Sequence, residues 1–360
     1  MTKDWKRVFG PIVESANQTH LSIYLENQGD LADLKNALEN AILDAKDVLI
    51  PVMDEGEMQR FLRPIEALLK EGSALSGING NIAVFRSKCF FRVLGIPTPA
   101  RPGCHVASTF HVKPLLAWLQ AERDYVVVCL GKDAAHLGVC GPHRFKSVDV
   151  IGYSVGGASI DESESIDFDW IWAWIRAVLP IQGKPVLVVG SGQLVEEFLS
   201  SSERRGAEIF LLEVSFSGSL VEETKTRLQE FVREHARSRL QSLLRAFASP
   251  KAGRKVETRI QSIARAALDG KVETLLIAED RELFGRIHPR SGEVAIHPFD
   301  LDHEDDDLLD DLAQKVLLSG GEVLVAGRDE IPGRRSIMAV VRPEVELRVV
   351  REAETWKVAR

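Results

Sequence analysis

Apolar and polar positions alternate with a period of two over residues 21–25, which predicts a strand, and then recur at a helical period over 31–49. A second helix is expected from about 57 to 71. After Gly77 and Gly80, two β-like runs at 82–85 and 89–93 are joined at Arg86-Ser87-Lys88, the pattern of a hairpin, and Pro97, Pro99 and Pro102 close it. Residues 110–119 predict a short helix with Pro114 in its first turn, where a missing N–H costs little. A first domain thus ends near residue 122.

Three strands are expected next, at 125–130, 134–140 and 147–151, a meander rather than a βαβ unit. A loop to residue 167 leads into a Trp-rich helix, in which Trp170, Trp174 and Ala177 share a face expected to pack in a core. A fully apolar strand at 185–189, a helix to about 201, a strand at 208–212 and a long helix over 220–247 follow. Beyond Ser249-Pro250, helices at 259–268 and 308–319 and strands at 272–278, 322–326 and 336–341 form a compact α/β/α block. The expectation is an α/β protein of three domains, 1–122, 123–252 and 253–345, with a charged extension over 346–360.

The composition is that of a folded protein, 45% hydrophobic and 27% charged. With no run of 18 apolar residues and no apolar stretch at the start, the chain reads as cytoplasmic, without a membrane segment. Cys89, Cys104, Cys129 and Cys140 form no CxxC, so they are expected to be buried free thiols. The net charge of −8 conceals one basic island: eleven Lys and Arg against three Glu between Lys225 and Arg265, a local +8 that leaves −16 for the remainder. Arg233 and Arg237 share a helix face, and Arg254, Lys255 and Arg259 carry the charge past the linker. Such density suits an RNA backbone; a solvated helix with pairs such as Glu230 with Arg233 is the competing reading.

Candidate chemistry is sparse. Gly190-Ser191-Gly192 follows an apolar strand and Glu213 ends the next, as a dinucleotide fingerprint asks, but Val195 stands at the third glycine position. A nucleotide-dependent enzyme using this turn is the alternative reading. His288, His297 and His303 beside the acidic run 302–311 suggest a metal, yet Asp305, Asp306 and Asp307 open a helix, where a solvated carboxylate is favoured by the dipole alone. No metal or cofactor is therefore expected. Cys140 near His143 and Ser191 are the nucleophile candidates, but Val189 stands where GxSxG needs its first glycine, and no catalytic residue is assigned.

Short stretches carry a resemblance. Gly270-Lys-Val-Glu-Thr-Leu-Leu-Ile277, Asp307-Leu-Leu-Asp-Asp-Leu-Ala313 and Gly320-Gly-Glu-Val323 resemble the C-terminal domain of the archaeo-eukaryotic release factor and Pelota superfamily, in its bacterial branch. Phe110-His-Val-Lys-Pro-Leu-Leu116 resembles the junction of its first two domains, and residues 185–198 its middle domain. The resemblance implies a ribonuclease-H-like middle domain and a C-terminal domain similar to kink-turn-binding ribosomal proteins. It also implies ribosome and rRNA as partners, in rescue or hibernation, with a translational GTPase on the C-terminal domain. In that family a Gly-Gly-Gln loop meets the peptidyl-tRNA ester. Here the loop reads Gly156-Gly157-Ala158, so the glutamine is replaced by Ala158 and the resemblance implies binding without ester hydrolysis.

Overall fold

The computed structural model describes residues 10–14, 19–71, 73–78, 80–97, 100–152, 168–179, 184–200, 208–214, 222–249, 254–297 and 306–342. The Gly156-Gly157-Ala158 loop, Lys251, His303, Asp305 and the charged extension lie outside the described residues.

The first sheet is antiparallel, in the order β3-β2-β1-β4, from β1 (His20–Leu25), β2 (Asn81–Ser87), β3 (Phe90–Ile96) and β4 (Gly103–Ala107). Helices α1 (Leu31–Leu49) and α2 (Glu55–Lys70) cover one face. Asp30 starts α1 by accepting the N–H of Ala32 at 2.7 Å, and Asp54 starts α2 through Glu57 at 2.8 Å. Leu34, Leu38, Ala41, Ile42, Ala45 and Leu49 form the buried stripe of α1, packed on Leu21, Ile23 and Leu25. The alternate positions of β1 are buried too: Tyr24 belongs to a second core that continues into the C-terminal part of the chain. Alternation in β1 thus separates two buried faces rather than core from solvent.

Helix α3 (Lys113–Ala121) leads to a five-stranded sheet in the order β7-β6-β5-β8-β9: β5 (Tyr125–Leu130), β6 (Ala134–Cys140), β7 (Phe145–Gly152), β8 (Val186–Gly190) and β9 (Ile209–Glu213). The first three strands are an antiparallel meander; β8 joins β5, and β9 joins β8, in parallel. Helices α4 (Phe168–Val178) and α5 (Gly192–Ser200) cover one face. The buried stripe of α4 is Phe168, Ile171, Trp172 and Ile175, with Trp172 stacked on Phe198 at 4.7 Å. The expectation for Trp170, Trp174 and Ala177 is thereby corrected: Ala177 is exposed, Trp170 is 46% exposed, and the Trp174 indole N–H donates to Asp149 at 2.9 Å.

Helix α6 (Glu222–Ala248) covers the other face through Leu228 and Val232. At 27 residues it spans about 40 Å, and its far end, Leu244 and Phe247, packs on a different sheet. That third sheet runs β10-β16-β11-β15, from β10 (Lys255–Glu257), β11 (Val272–Ala278), β15 (Glu322–Ala326) and β16 (Ile337–Val341). Its remaining face carries α7 (Ile260–Leu268) and α8 (Leu308–Leu318), and the same core takes in Phe85, Phe110, Leu115 and Leu116. The polar excursion between β11 and α8 contains a small sheet: β12 (Phe284–Ile287), β13 (Val294–Ile296) and β14 (Asp306–Asp307). No helix among the described residues is long and apolar enough to cross a membrane.

Candidate functional site

The densest cluster of charge with buried partners lies where the loop before α3 meets the first turn of α8. Asp307 caps α8 by accepting the N–H of Leu309 at 3.1 Å and also takes that of Leu283 at 3.0 Å. One turn on, Asp310 accepts the N–H groups of Val112 and Lys113 at 3.0 and 2.9 Å, so it serves the free N-terminus of α3 from within α8. Asp306 accepts the N–H of Ser108 at 2.8 Å and the Ser108 hydroxyl; the Thr109 hydroxyl donates to Asp311 at 2.9 Å. Gln314 donates to the carbonyl of Phe110 at 2.8 Å. The loop from Ser108 to Lys113 is thus held along the side of α8.

Two cations enter the cluster. Lys113, only 1% exposed, places Nζ 2.5 Å from Asp307 Oδ2 and donates to the Arg281 carbonyl at 2.6 Å. His111 Nδ1 pairs with Asp310 Oδ2, its ring stacked on His105 at 4.1 Å. Burial alone would raise the Asp310 pKa, but His111, Lys113 and the Val112 N–H together hold it below the ordinary value. Burial raises Asp307 despite Lys113. Asp311 is pushed well up, by burial and then by Asp306, Asp310 and Asp307. Burial and the adjacent His111 lower His105 to about 3, so its ring is neutral. Tyr24 completes the site, its hydroxyl donating to the His111 carbonyl at 2.5 Å.

The acidic run expected to be a solvated helix start is therefore corrected: Asp306 and Asp310 are 6% and 3% exposed. Asp305 and His303 lie outside the described residues, and His288 bonds to Ser291. His111, Asp307 and Asp310 bring ligand atoms within 4.8 Å of one another. The Lys113 ammonium, however, already meets the Asp307 oxygen that a metal would use. The arrangement is an ion-pair joint between the first and third sheets, bordered by a cleft of about 280 Å³ that His105 and Phe284 also line. Sequence reading missed it because the partners lie about 200 residues apart.

The basic island is more neutralised than its sequence suggests. Arg254 pairs with Glu273 at 2.8 Å, and Arg259 and Lys255 reach Glu257 at 3.5 and 3.9 Å. Arg233 donates to the Pro142 carbonyl at 3.3 Å rather than pairing with Glu230. Arg237 is 76% exposed, with only the equally exposed Glu234 at 3.8 Å. Burial, then the nearby Arg123, lower the pKa of Arg239 in the same helix.

The glycine turn does bring its residues together: Gly190 is in register with Glu213, whose Oε1 is 3.6 Å from where a Gly192 Cβ would stand. Gly190 has a packing reason as well, since a Cβ there would lie 3.0 Å from the Leu130 carbonyl and 3.4 Å from Val195. Ser191 sits in this turn, while Cys140 is buried with its thiol pushed up to about 12 by burial, unsuited to nucleophilic work. Cys129 is likewise buried, Cys104 is partly so, and Cys89 is exposed, against the expectation of four buried thiols.

No family model matches the sequence, and no curated protein matches it. Among solved structures the chain is similar to the archaeal translation termination factor aRF1, at 15% identity over 95% of this chain and 98% of that one, TM-score 0.26. It is also similar to Dom34 of S. cerevisiae, a translation termination-like factor that interacts with Hbs1, at 14% identity over 71% and 74%, TM-score 0.39. A ribosome-bound archaeal Pelota, in an assembly with ABCE1, matches at 14% identity over 70% and 71%, TM-score 0.41.

Proposed function

We propose that this chain is a ribosome-associated translation factor of the release-factor and Pelota type. It acts by binding in a tRNA-like position, in rescue or hibernation, without hydrolysing peptidyl-tRNA. The observation that carries the reading is the strand order β7-β6-β5-β8-β9, an antiparallel meander followed by two parallel strands. That is the order of a ribonuclease-H-like sheet, and it stands between residues 110–116, which resemble the junction of the superfamily's first two domains, and the block that resembles its C-terminal domain. The central strands β5 and β8 are apolar from Val126 to Leu130 and from Val186 to Val189, with no carboxylate for nuclease chemistry. The joint at Asp310 suits a protein that works by shape, because it ties the first and third sheets into one body.

In this reading the Gly156-Gly157-Ala158 loop approaches the peptidyl-transferase region, Arg237 and its neighbours meet rRNA, and the third sheet and its helices offer a surface to a translational GTPase. Sedimentation of the tagged protein with lysates of growing and starved cells, at low and high salt, tests it. Salt-sensitive migration with ribosomes is the expected result. Confinement to the top of the gradient in every condition would refute it.

A further inference from the structure

The first sheet carries a second, separate cleft, of about 470 Å³, between α2 and the β2–β3 hairpin. Arg60, Arg86 and Lys88 line it together with Met53, Phe61 and Glu57. Among the described residues no carboxylate lies within ion-pair distance of any of the three cations, in a chain whose net charge is −8. The most buried of them is also the most constrained. Arg86 donates Nε–H to the Phe61 carbonyl at 2.8 Å and an Nη1 hydrogen to the Phe90 carbonyl at 3.4 Å, and its guanidinium lies 5.3 Å from the Phe61 ring centroid. Both bonds are to neutral carbonyls, so the guanidinium is fixed in place with its charge uncompensated. Burial accordingly lowers its pKa, a cost that a bound anion would reverse.

We infer that this cleft binds a small phosphorylated molecule of nucleotide size, a nucleoside monophosphate, with Arg60, Arg86 and Lys88 on the phosphate. The fixed fork of Arg86 suits bidentate contact with phosphate oxygens, and the exposed Arg60 and Lys88 close over it as mobile charges. Glu57 and Arg60 are one helical turn apart on α2 and line the same cleft, so a carboxylate acceptor stands within reach of ribose hydroxyls. Met53 supplies a polarisable wall for the base. The volume falls in the range of small-ligand sites, about 300–1,000 Å³, larger than a lone phosphate requires. The site is distinct from the turn at Gly190 and independent of ribosome association.

Titration calorimetry on the full chain, with AMP, GMP, adenosine and inorganic phosphate in turn, tests this. The expected result is saturable binding of a monophosphate, about tenfold or more tighter than phosphate or adenosine. That binding is lost in the Arg60→Ala/Lys88→Ala double variant, whose two exposed positions leave the fold and its melting temperature unchanged. Arg86→Lys keeps the charge without the fork and weakens binding about tenfold. No heat with any monophosphate, equal affinity for AMP and phosphate, or undiminished binding by the double variant would each overturn the assignment. So would binding of a short single-stranded RNA by a protein that ignores all the mononucleotides.

Discussion

Asp310 caps a helix to which it does not belong: its carboxylate, in the first turn of α8, accepts the N–H groups of Val112 and Lys113 at the start of α3. Replacing it with Ala strands both donors and leaves His111 without its carboxylate partner. We expect a loss of about 3–5 kcal/mol in urea unfolding, with Asp310→Asn losing less because its amide oxygen still accepts. The pKa of Asp310 is lower folded than unfolded, so its contribution is present above the unfolded value. It is lost as pH falls through the lower folded one. Unfolding curves of wild type and Asp310→Asn will therefore converge under acid conditions.

Asp311 should behave in the opposite sense. Its folded pKa is raised, so its contribution is full below the unfolded value and is lost as pH rises through the folded one. Asp311→Asn keeps an acceptor for Thr109 and removes the charge crowded by its neighbours. The variant should melt higher than wild type at pH 8, and the gap should close toward acid pH in thermal scans.

Lys113→Met leaves Asp307 buried beside no cation and should cost about 3 kcal/mol or more. A double-mutant cycle with Asp307→Asn should recover part of that loss. Additive single effects would mean that the 2.5 Å pair contributes no coupling of its own.

Charge reversal in the basic island needs selection. Arg254→Glu would face Glu273, and Arg259→Glu would face Glu257, so both confound binding with folding. Arg237→Glu disturbs only an exposed pair worth little, and it should lower ribosome association several-fold in pelleting assays, with a shallower salt dependence.

Gly190→Ala places a methyl 3.0 Å from the Leu130 carbonyl and should cost about 1–3 kcal/mol in chemical unfolding. Preserved stability would show that β5 and β8 can part locally to admit it.

Most strands and helices were legible in the sequence because their signals are local: the stripe from Leu34 to Leu49 and the apolar run of β8 need no knowledge of what covers them. The side that α4 buries was not legible. Phe168 with Trp172, and Trp170 with Trp174, are both aromatic pairs four apart, so the period fits either face and only packing against Phe198 decides. The joint failed for a related reason. An acidic helix start is locally satisfied by its own dipole, and nothing near Asp310 indicates that residues 108–113 will cover it. The cleft at Arg86 was hidden similarly, its cations split between a helix and the β2–β3 hairpin.

Helix α6 has a consequence for the order in which a ribosome makes this chain. Its first turns find the five-stranded sheet already synthesised, while Leu244 and Phe247 await strands that begin only at Lys255. Phe85, Phe110 and Leu116 wait longer still, for α8, almost 200 residues after the loop it will hold. The nascent protein therefore carries two greasy, incompletely covered patches until α8, β15 and β16 emerge.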